Sequence, residues 1–241
     1  MNILAIAQRV HLLTGLGSRG NTAKPGTVPT TLAGQTDELA ELVEWVLMAL
    51  TNFQTMHKWG WLIQQGTLAF TSGDSTVVPT AGIANYREWI PFKQGGRRYV
   101  LRYLTASGAT STNLPVYFME YADFRGLRDR SPVATGAPMY FTIHPDQTWE
   151  VYPTPDANYT LKIDYLCKPK IYTTSDDVTN FEDWPTPGRG LPTEFHEAVV
   201  WYAVRYWAET RAKLDTFQIA DRRFNELIRP VRARYLPAAR I

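Results

Sequence analysis

Histidines beside carboxylates are the residues of this chain that could do hydrolytic chemistry, and the clearest instance is His196 in the stretch FHEAVV. A helical zinc-protease motif needs a second histidine four residues later, because positions i and i+4 share a helix face. Position 200 is Val, so the motif is incomplete. We interpret His196 as a partly buried helix residue near a domain junction.

The remaining candidates for chemistry are isolated. His144 and Asp146 flank a proline, which is typical of a turn between strands rather than of an acid–base pair. His11 and His57 have no carboxylate or cysteine at ligand spacing. Cys167, the single cysteine, lies on the apolar face of a predicted strand and is interpreted as a small core residue in a reducing compartment. The sequence predicts no catalytic residue, no metal and no cofactor.

The composition excludes two classes of protein. With 44% hydrophobic residues, 20% charged residues and a formal net charge of +2, the chain lacks the basic excess of a nucleic-acid-binding protein. No apolar run is long enough to span a bilayer, and the first residues, MNILAIAQRV, do not form a signal peptide. We expect a soluble protein that is made in the cytoplasm.

Charge and tryptophan are unevenly placed. Residues 176–197 carry six acids against Arg189, and residues 222–241 carry six arginines against Glu226. Of the eight tryptophans, Trp201 and Trp207 bracket a helical tyrosine stripe. If that stripe faces a helical bundle, Trp201 faces away from it and needs cover, either from a partner protein or from local packing.

Helices are predicted at both ends of the chain. Apolar residues recur at helical spacing over residues 3–13, and a second stripe over residues 39–53 follows Thr36 as N-cap. Between them, residues 14–36 form a long loop rich in Gly, Pro, Ser and Thr. A third helical pattern begins near Pro192 and continues through residues 195–227 as one stripe, which Pro230 stops or kinks.

The central region has strand periodicity. The stretch WEVYPTPDANYTLKIDYLCKP, residues 149–169, contains a tight turn followed by strict alternation, with Thr160, Lys162 and Asp164 on the face opposite Leu161 and Ile163. Six such segments between residues 66 and 172 predict an antiparallel sandwich or small barrel.

The predicted fold class is therefore α+β: a helical bundle of N- and C-terminal helices with an inserted antiparallel β-sandwich or barrel. The predicted boundaries are a helical part at 1–60, a β domain at 61–172, an acidic linker at 173–190, a helical part at 191–230 and an extended basic tail at 231–241.

The order of these pieces resembles the head–tail adaptor (connector, head-completion) proteins of tailed bacteriophages. The matching residues are Trp59 and Trp61, the hairpin Trp149–Tyr165 of the form W-x-V-Y-P-x-P-x-x-x-Y-x-L-x-I-x-Y, the dipeptide Lys168–Pro169, and the helix start at 191–203. The resemblance covers most of residues 36–230, and the loop 14–36 has no counterpart in the pattern.

The resemblance implies a structural virion protein of the neck, not an enzyme. Twelve copies would form a ring beneath the portal protein, extend the DNA channel for ejection, and offer a platform to tail or nozzle proteins. Double-stranded DNA would slide through without specific binding, which agrees with a near-neutral charge, and no membrane is involved. The basic tail becomes the candidate portal-docking arm: Arg232, Arg234, Tyr235, Leu236, Arg240 and Ile241.

In such a ring the acidic and basic segments could pair between neighbours, or both could be solvated faces. The candidate inter-subunit residues are Trp201, Trp207, Arg222, Arg223, Asp176, Asp177, Glu182 and Asp183. Three other functions stay open: another neck or tail-tube protein, a monomeric β-sandwich binding module, and a phage-borne cell-wall hydrolase, which would need converging carboxylates.

Overall fold

The computed structural model describes residues 1–15, 28–94, 96–104, 114–130, 134–176, 183–185 and 190–236. Its helices are α1 (Ile3–Thr14), α2 (Asp37–Thr55), α3 (Pro79–Gly82), α4 (Tyr121–Arg130), α5 (His196–Thr210) and α6 (Leu214–Tyr235). Its strands are β1 (Ile63–Phe70), β2 (Thr76–Val77), β3 (Tyr86–Ile90), β4 (Phe92–Gln94), β5 (Arg97–Leu104), β6 (Leu114–Phe118), β7 (Thr135–Gly136), β8 (Tyr140–Ile143), β9 (Trp149–Tyr152), β10 (Thr154–Pro155) and β11 (Tyr159–Cys167).

The chain divides into two compact units. Unit 1 comprises Met1–Leu62 and Pro169–Ile241, and unit 2 comprises Ile63–Lys168. Helices and largely antiparallel strands both contribute, which confirms the predicted mixed class. None of the described sheets closes into a barrel, so the barrel alternative is wrong.

Unit 1 is built around α5, which packs against α1, α2 and α6. The helix α1 begins where the Asn2 side chain accepts a hydrogen bond from the Ala5 amide, 2.8 Å away, and ends at Gly15 with φ of 66°. In α2 the acidic residues Asp37 and Glu38 lie at the positive end of the helix dipole, as predicted. The interior faces are fully buried, and their residues include Ile6, Val46, Leu50, Phe53, Val200 and Val204.

The C-terminal helical region differs from the prediction at two points. The single stripe through residues 195–227 is divided between α5 and α6 by a turn at 211–213, where Ala212 has φ of 50°. Pro230 does not end α6, which continues to Tyr235. Residues 231–235 are therefore helical rather than extended. Pro230 is exposed, so its ring has room there, and Ile228 and Val231 are fully buried on either side of it.

The larger sheet of unit 2 has the strand order β1-β11-β5-β6-β8-β9-β2, with β3 added on β11 and β4 on β5. The pairings are antiparallel except that of β6 with β8, and the separate pair of β10 with β7 is also parallel. A parallel pair needs a crossover connection, and α4 lies in the chain between β6 and β8. Helical periodicity does not indicate α4, because Phe124 is its one buried residue and leaves no apolar stripe.

The core of unit 2 is aromatic. Phe141 stacks on Trp149 at a centroid distance of 4.8 Å, and Trp89 meets both rings edge-on at 5.1 and 5.7 Å. Cys167 belongs to the same core and is fully buried, as predicted. Burial raises the pKa of its thiol to about 11, so a thiolate is disfavoured at neutral pH. Thr160, predicted on the wet face of β11, is buried as well.

Within unit 1, Gln54 fixes the segment that follows unit 2. Its side chain is 1% exposed, accepts a hydrogen bond from the Lys170 amide at 3.0 Å, and donates to the Lys170 carbonyl at 3.2 Å. An amide side chain thus pairs with a backbone amide as a neighbouring strand would. Both polar groups of the Lys170 backbone are satisfied by one residue of α2.

Replacing Gln54 by Ala should therefore destabilise the protein. The substitution removes the partner of both Lys170 backbone groups, and we expect the free energy of unfolding to fall by about 2 kcal/mol. Urea unfolding monitored by circular dichroism measures this. Gln218→Ala, on the exposed face of α6, is the matched control and should change stability by less than about 0.5 kcal/mol. Equal losses in both variants would contradict the role of Gln54.

Candidate interaction surfaces

His196, the residue at the start of the incomplete zinc-protease motif, is a structural residue. It is fully buried, its Nε2 donates to the Leu191 carbonyl at 2.9 Å, and its Nδ1 lies 2.8 Å from the Met1 amino group. Both ring nitrogens are thus engaged, and Val200 one turn later is buried. His196 joins the beginning of α1 to the beginning of α5. It is a helix residue as predicted, but it is fully buried rather than partly buried.

His144 also has a structural partner that the sequence did not reveal. As predicted, residues 144–148 form a turn, in which Asp146 accepts from the Thr148 amide at 2.9 Å and the pKa of Asp146 is lowered by this hydrogen bond. The His144 Nε2 lies 2.7 Å from an oxygen of Glu150, a carboxylate with a 5% exposed side chain. Arg128 of α4 forms an ion pair with the other oxygen. These contacts of the buried Glu150 hold α4 on β8 and β9, and neither residue spacing nor periodicity indicates them.

Metal and membrane sites are not found in the part of the chain that the structure describes. There, no three His, Cys, Asp or Glu side chains converge in a way that could hold a metal ion. Over the same residues, no helix combines the length and apolar character needed to cross a bilayer.

The predicted docking residues Arg232 and Arg234 bind their own unit. The Arg232 Nε donates to His57 Nε2 at 3.1 Å, and Arg234 donates to Glu194 Oε1 at 2.6 Å. The second pair joins the basic segment to the acidic segment within one chain, although both side chains are more than half exposed. At such exposure the ion pair contributes little to stability and mainly orients the two groups.

Tyr235 completes this contact through its ring and its carbonyl. The ring meets Trp61 edge-on at 5.1 Å and Phe195 at 5.8 Å. A Cβ added at Gly60 would lie 3.0 Å from the Tyr235 carbonyl oxygen, so only glycine permits this approach without a shift. We call the receiving residues the C-terminal clasp: His57, Gly60, Trp61, Glu194 and Phe195.

The clasp engages part of the predicted docking arm. Arg232, Arg234 and Tyr235 are committed to intrachain contacts, and Leu236 is the C-cap residue of α6 with φ of −78° and ψ of 132°. Arg240 and Ile241 lie outside the described residues. Sequence reasoning missed the clasp residues, although a glycine between two tryptophans, W-G-W, is a signal for close backbone approach.

The acidic segment is also partly neutralised within the chain. Asp176 accepts from Lys170 at 2.9 Å and from the Thr173 amide at 2.8 Å. Burial alone would raise the pKa of Asp176, but these hydrogen bonds outweigh it and bring the pKa to about 2. Glu197 pairs with Arg9 at 3.2 Å. Asp177 and Glu182 lie outside the described residues, and Asp183 is partly exposed.

The two tryptophans of α5 separate into different environments. Trp207 is buried by its own chain, with 9% of its surface exposed, and therefore does not need a partner to cover it. Trp201 remains partly exposed. On α6, Arg222 and Arg223 are exposed, and Arg223 pairs with Glu226 at 3.2 Å. Of the predicted interface residues that the structure describes, Arg222 and Arg223 are thus exposed, and Trp201 and Asp183 are partly exposed.

Comparison with known proteins gives a family match over the full chain. The family model described as SU10 adaptor protein matches residues 1–241. No curated protein sequence matches. Among solved structures, one match is a chain described as the neck of an empty GTA particle computed with C6 symmetry. The two chains are 14% identical, and the alignment covers 82% of this chain and 76% of that chain. The TM-score is 0.22, which is too low to indicate a shared fold.

The clasp makes stability depend on pH. Arg232 only donates, so His57 must be neutral to accept its hydrogen bond. Burial and then the Arg232 charge lower the pKa of His57 below 6.5, and burial lowers that of His11. A depressed folded-state pKa stabilises the protein above the unfolded-state value, and this stability is lost as the pH falls through the folded-state pKa.

We therefore expect the free energy of unfolding to fall as the pH drops below about 6.5, by at most about 1.4 kcal/mol per pH unit for each histidine. The variant His57→Gln keeps an acceptor for Arg232 without titrating, so it should lose less stability over this range. Urea unfolding of both proteins at several pH values measures the difference. An identical pH dependence would mean that His57 does not titrate in the clasp.

Proposed function

Because the chain belongs to the SU10 adaptor protein family, whose members are phage head–tail adaptors, we propose that it forms a twelve-copy ring beneath the portal protein. Membership of this family implies a structural role at the neck of the virion, where head and tail join. The proposal adds that the ring extends the DNA channel and serves as a docking platform for tail or nozzle proteins. The observation that carries it is the family match over residues 1–241.

The structure supports a shorter docking arm than residues 231–241. The clasp binds α6 up to Tyr235, so the segment that can bind the portal is 237–241, with Arg240 and Ile241 as its contact residues. Because it follows a helix end fixed at Leu236, this segment would be presented from a defined position.

We propose that the accessible interface residues contact the neighbouring copies in the ring. Arg222 and Arg223 on α6 would face acidic residues of the adjacent copy, with Trp201 as an aromatic contact. Their proposed partners are Asp177, Glu182 and Asp183. Asp176 and Trp207 are left out, because Lys170 pairs with the first and the chain's own helices cover the second.

The proposed DNA channel needs no basic lining. A formal net charge of +2 over 241 residues avoids a strong electrostatic grip on the phosphates, which would oppose sliding during ejection. In this scheme the DNA touches the ring without sequence-specific contacts. The ring would be assembled onto the portal after synthesis in the host cytoplasm.

Native mass spectrometry of the purified chain, alone and mixed with its cognate portal, tests the ring and the arm. We expect a layer of twelve copies on the portal, which deletion of residues 237–241 abolishes while leaving α6 and the clasp in place. Arg240→Glu should weaken the layer through loss of a charged contact. Lys93→Glu makes the same charge change on exposed β4 and should leave the layer intact.

Each alternative has its own result in that experiment. A wild-type monomer that ignores the portal would contradict the adaptor ring and favour a monomeric binding module. A layer that survives the deletion would contradict the docking arm alone.

A charge swap tests the contacts between neighbours. Reversing Arg222 and Arg223 to Glu places like charges across the proposed contact and should reduce ring formation on the portal by about tenfold or more. Adding Asp177→Arg and Glu182→Arg in the same chain should restore it. The pair Arg87→Glu and Lys93→Glu, exposed in unit 2, changes the net charge equally and is the control. Failure of the second pair to rescue the first would contradict this interface.

A further inference from the structure

We propose that the outer face of the larger sheet of unit 2 binds a proline-rich segment of a partner protein in the polyproline II conformation. The site is a row of aromatic side chains on four neighbouring strands, which we call the aromatic row: Phe92, Tyr99, Tyr117 and Tyr140. That the partner is a tail protein rests on the proposed function, whereas the surface itself belongs to the free chain.

The register of the strands places the four rings side by side. Phe92 of β4 lies directly opposite Tyr99 of β5, and Tyr99 lies opposite Tyr117 of β6. Tyr117 in turn lies opposite Tyr140 of β8. Residues that are directly opposite on paired strands project from the same face of a sheet. The ring centroids of the first two pairs are 5.7 and 6.3 Å apart, so these rings are in contact across the strands.

The aromatic row is turned away from the core of unit 2. Side chains alternate between the two faces along a strand, and Val100 and Phe141, which follow two members of the row, lie in that core. All four rings of the row are partly exposed. On β9 the same face is covered by α4, where Phe124 meets the Tyr152 ring edge-on at 6.4 Å. The row is therefore accessible to a partner up to the edge of that helix.

The spacing of the row matches a polyproline II helix. Neighbouring strands are about 4.8 Å apart, so Tyr99 and Tyr140, two strands from each other, start from positions about 9.6 Å apart. A polyproline II helix repeats every three residues, or about every 9.3 Å. Prolines three residues apart in a P-x-x-P segment that crosses the strands would therefore each meet one of these two rings. Grooves lined by aromatic rings are the surfaces that bind such segments.

The polar groups of the row fit the same kind of segment. Among the residues that the structure describes, none forms a hydrogen bond with the hydroxyls of Tyr99, Tyr117 or Tyr140. A polyproline II helix has no internal hydrogen bonds, so its carbonyls are free to accept from these hydroxyls. Each tyrosine thus offers a ring to a proline ring and a donor to a carbonyl.

The charges beside the row favour a neutral segment over an acidic one. Arg97 lies over the Tyr117 ring at 5.7 Å, and Asp123 of α4 lines the same depression, of about 500 Å³. At the other end of the row, Lys162 and Asp164 line a depression of about 580 Å³. Cations and acids are thus balanced among the described residues at both ends, and such a surface has no electrostatic preference for an acidic partner.

Two-dimensional amide NMR of the isotope-labelled full chain, titrated with acetylated decaproline, tests the surface. We expect saturable shifts of amides in β4, β5, β6 and β8, and none in unit 1. Tyr99→Ala and Tyr140→Ala each remove a ring that meets a proline and should weaken the affinity by about tenfold. Tyr99→Phe keeps the ring and removes the hydroxyl, and it should weaken the affinity severalfold.

The controls separate the aromatic row from aromatic surface in general and from charge. Trp201→Ala removes a partly exposed aromatic ring of unit 1 and should bind decaproline as wild type does. A Gly-Ser peptide of equal length is a flexible coil and should cause no shifts. Tighter binding of a glutamate peptide of the same length than of decaproline would overturn the proposal in favour of an acidic partner. If the alanine variants fail to fold, as read by circular dichroism, Tyr99→Phe and Tyr140→Phe decide instead.

Two further results would overturn the proposal. One is the absence of saturable shifts in the row at millimolar decaproline, and the other is an affinity that the tyrosine substitutions leave unchanged. Native mass spectrometry with the portal decides the proposed function separately. A chain that forms no ring but binds decaproline through the row would contradict the proposed function and support this surface, and a chain that forms the ring without binding decaproline would do the reverse.

Discussion

Two consecutive residues at the end of α2 hold the segments by which the chain leaves unit 1 and returns to it. The Phe53 carbonyl accepts from Trp59 just before the departure, and the Gln54 side chain pairs with Lys170 just after the return. Within unit 2 the two ends are also paired, because Ile63 of β1 lies opposite Leu166 of β11. The aromatic stack on which Tyr235 packs begins at the same turn of α2, at Phe53.

Most polar contacts of unit 1 described above place chain ends rather than do chemistry. His196 joins α1 to α5, His57 receives Arg232, and Asp176 holds Lys170. For a member of a phage adaptor family, fixed geometry of the surfaces it presents is a useful property.

The fold could be predicted from the sequence wherever the apolar residues followed either the helical or the strand period clearly. The stripe of α2 and the alternation of β11 predicted their elements. The helix α4 was missed because it buries one residue, and the turn at Ala212 because the apolar stripes on both sides of it read as one. The contact between Gly60 and Tyr235 could not be predicted from the sequence. The two residues are 175 positions apart, and the local pattern around one carries no information about the other.

The discontinuity of unit 1 has a consequence for the newly made chain. During synthesis, α1 and α2 leave the ribosome long before α5, the helix that covers their apolar faces, whereas unit 2 is one continuous stretch and can fold as soon as it is complete. Contacts of such high sequence separation form slowly. Exposed apolar stripes in the interval are sites for aggregation or chaperone binding, so the nascent chain is most vulnerable before residue 196 emerges.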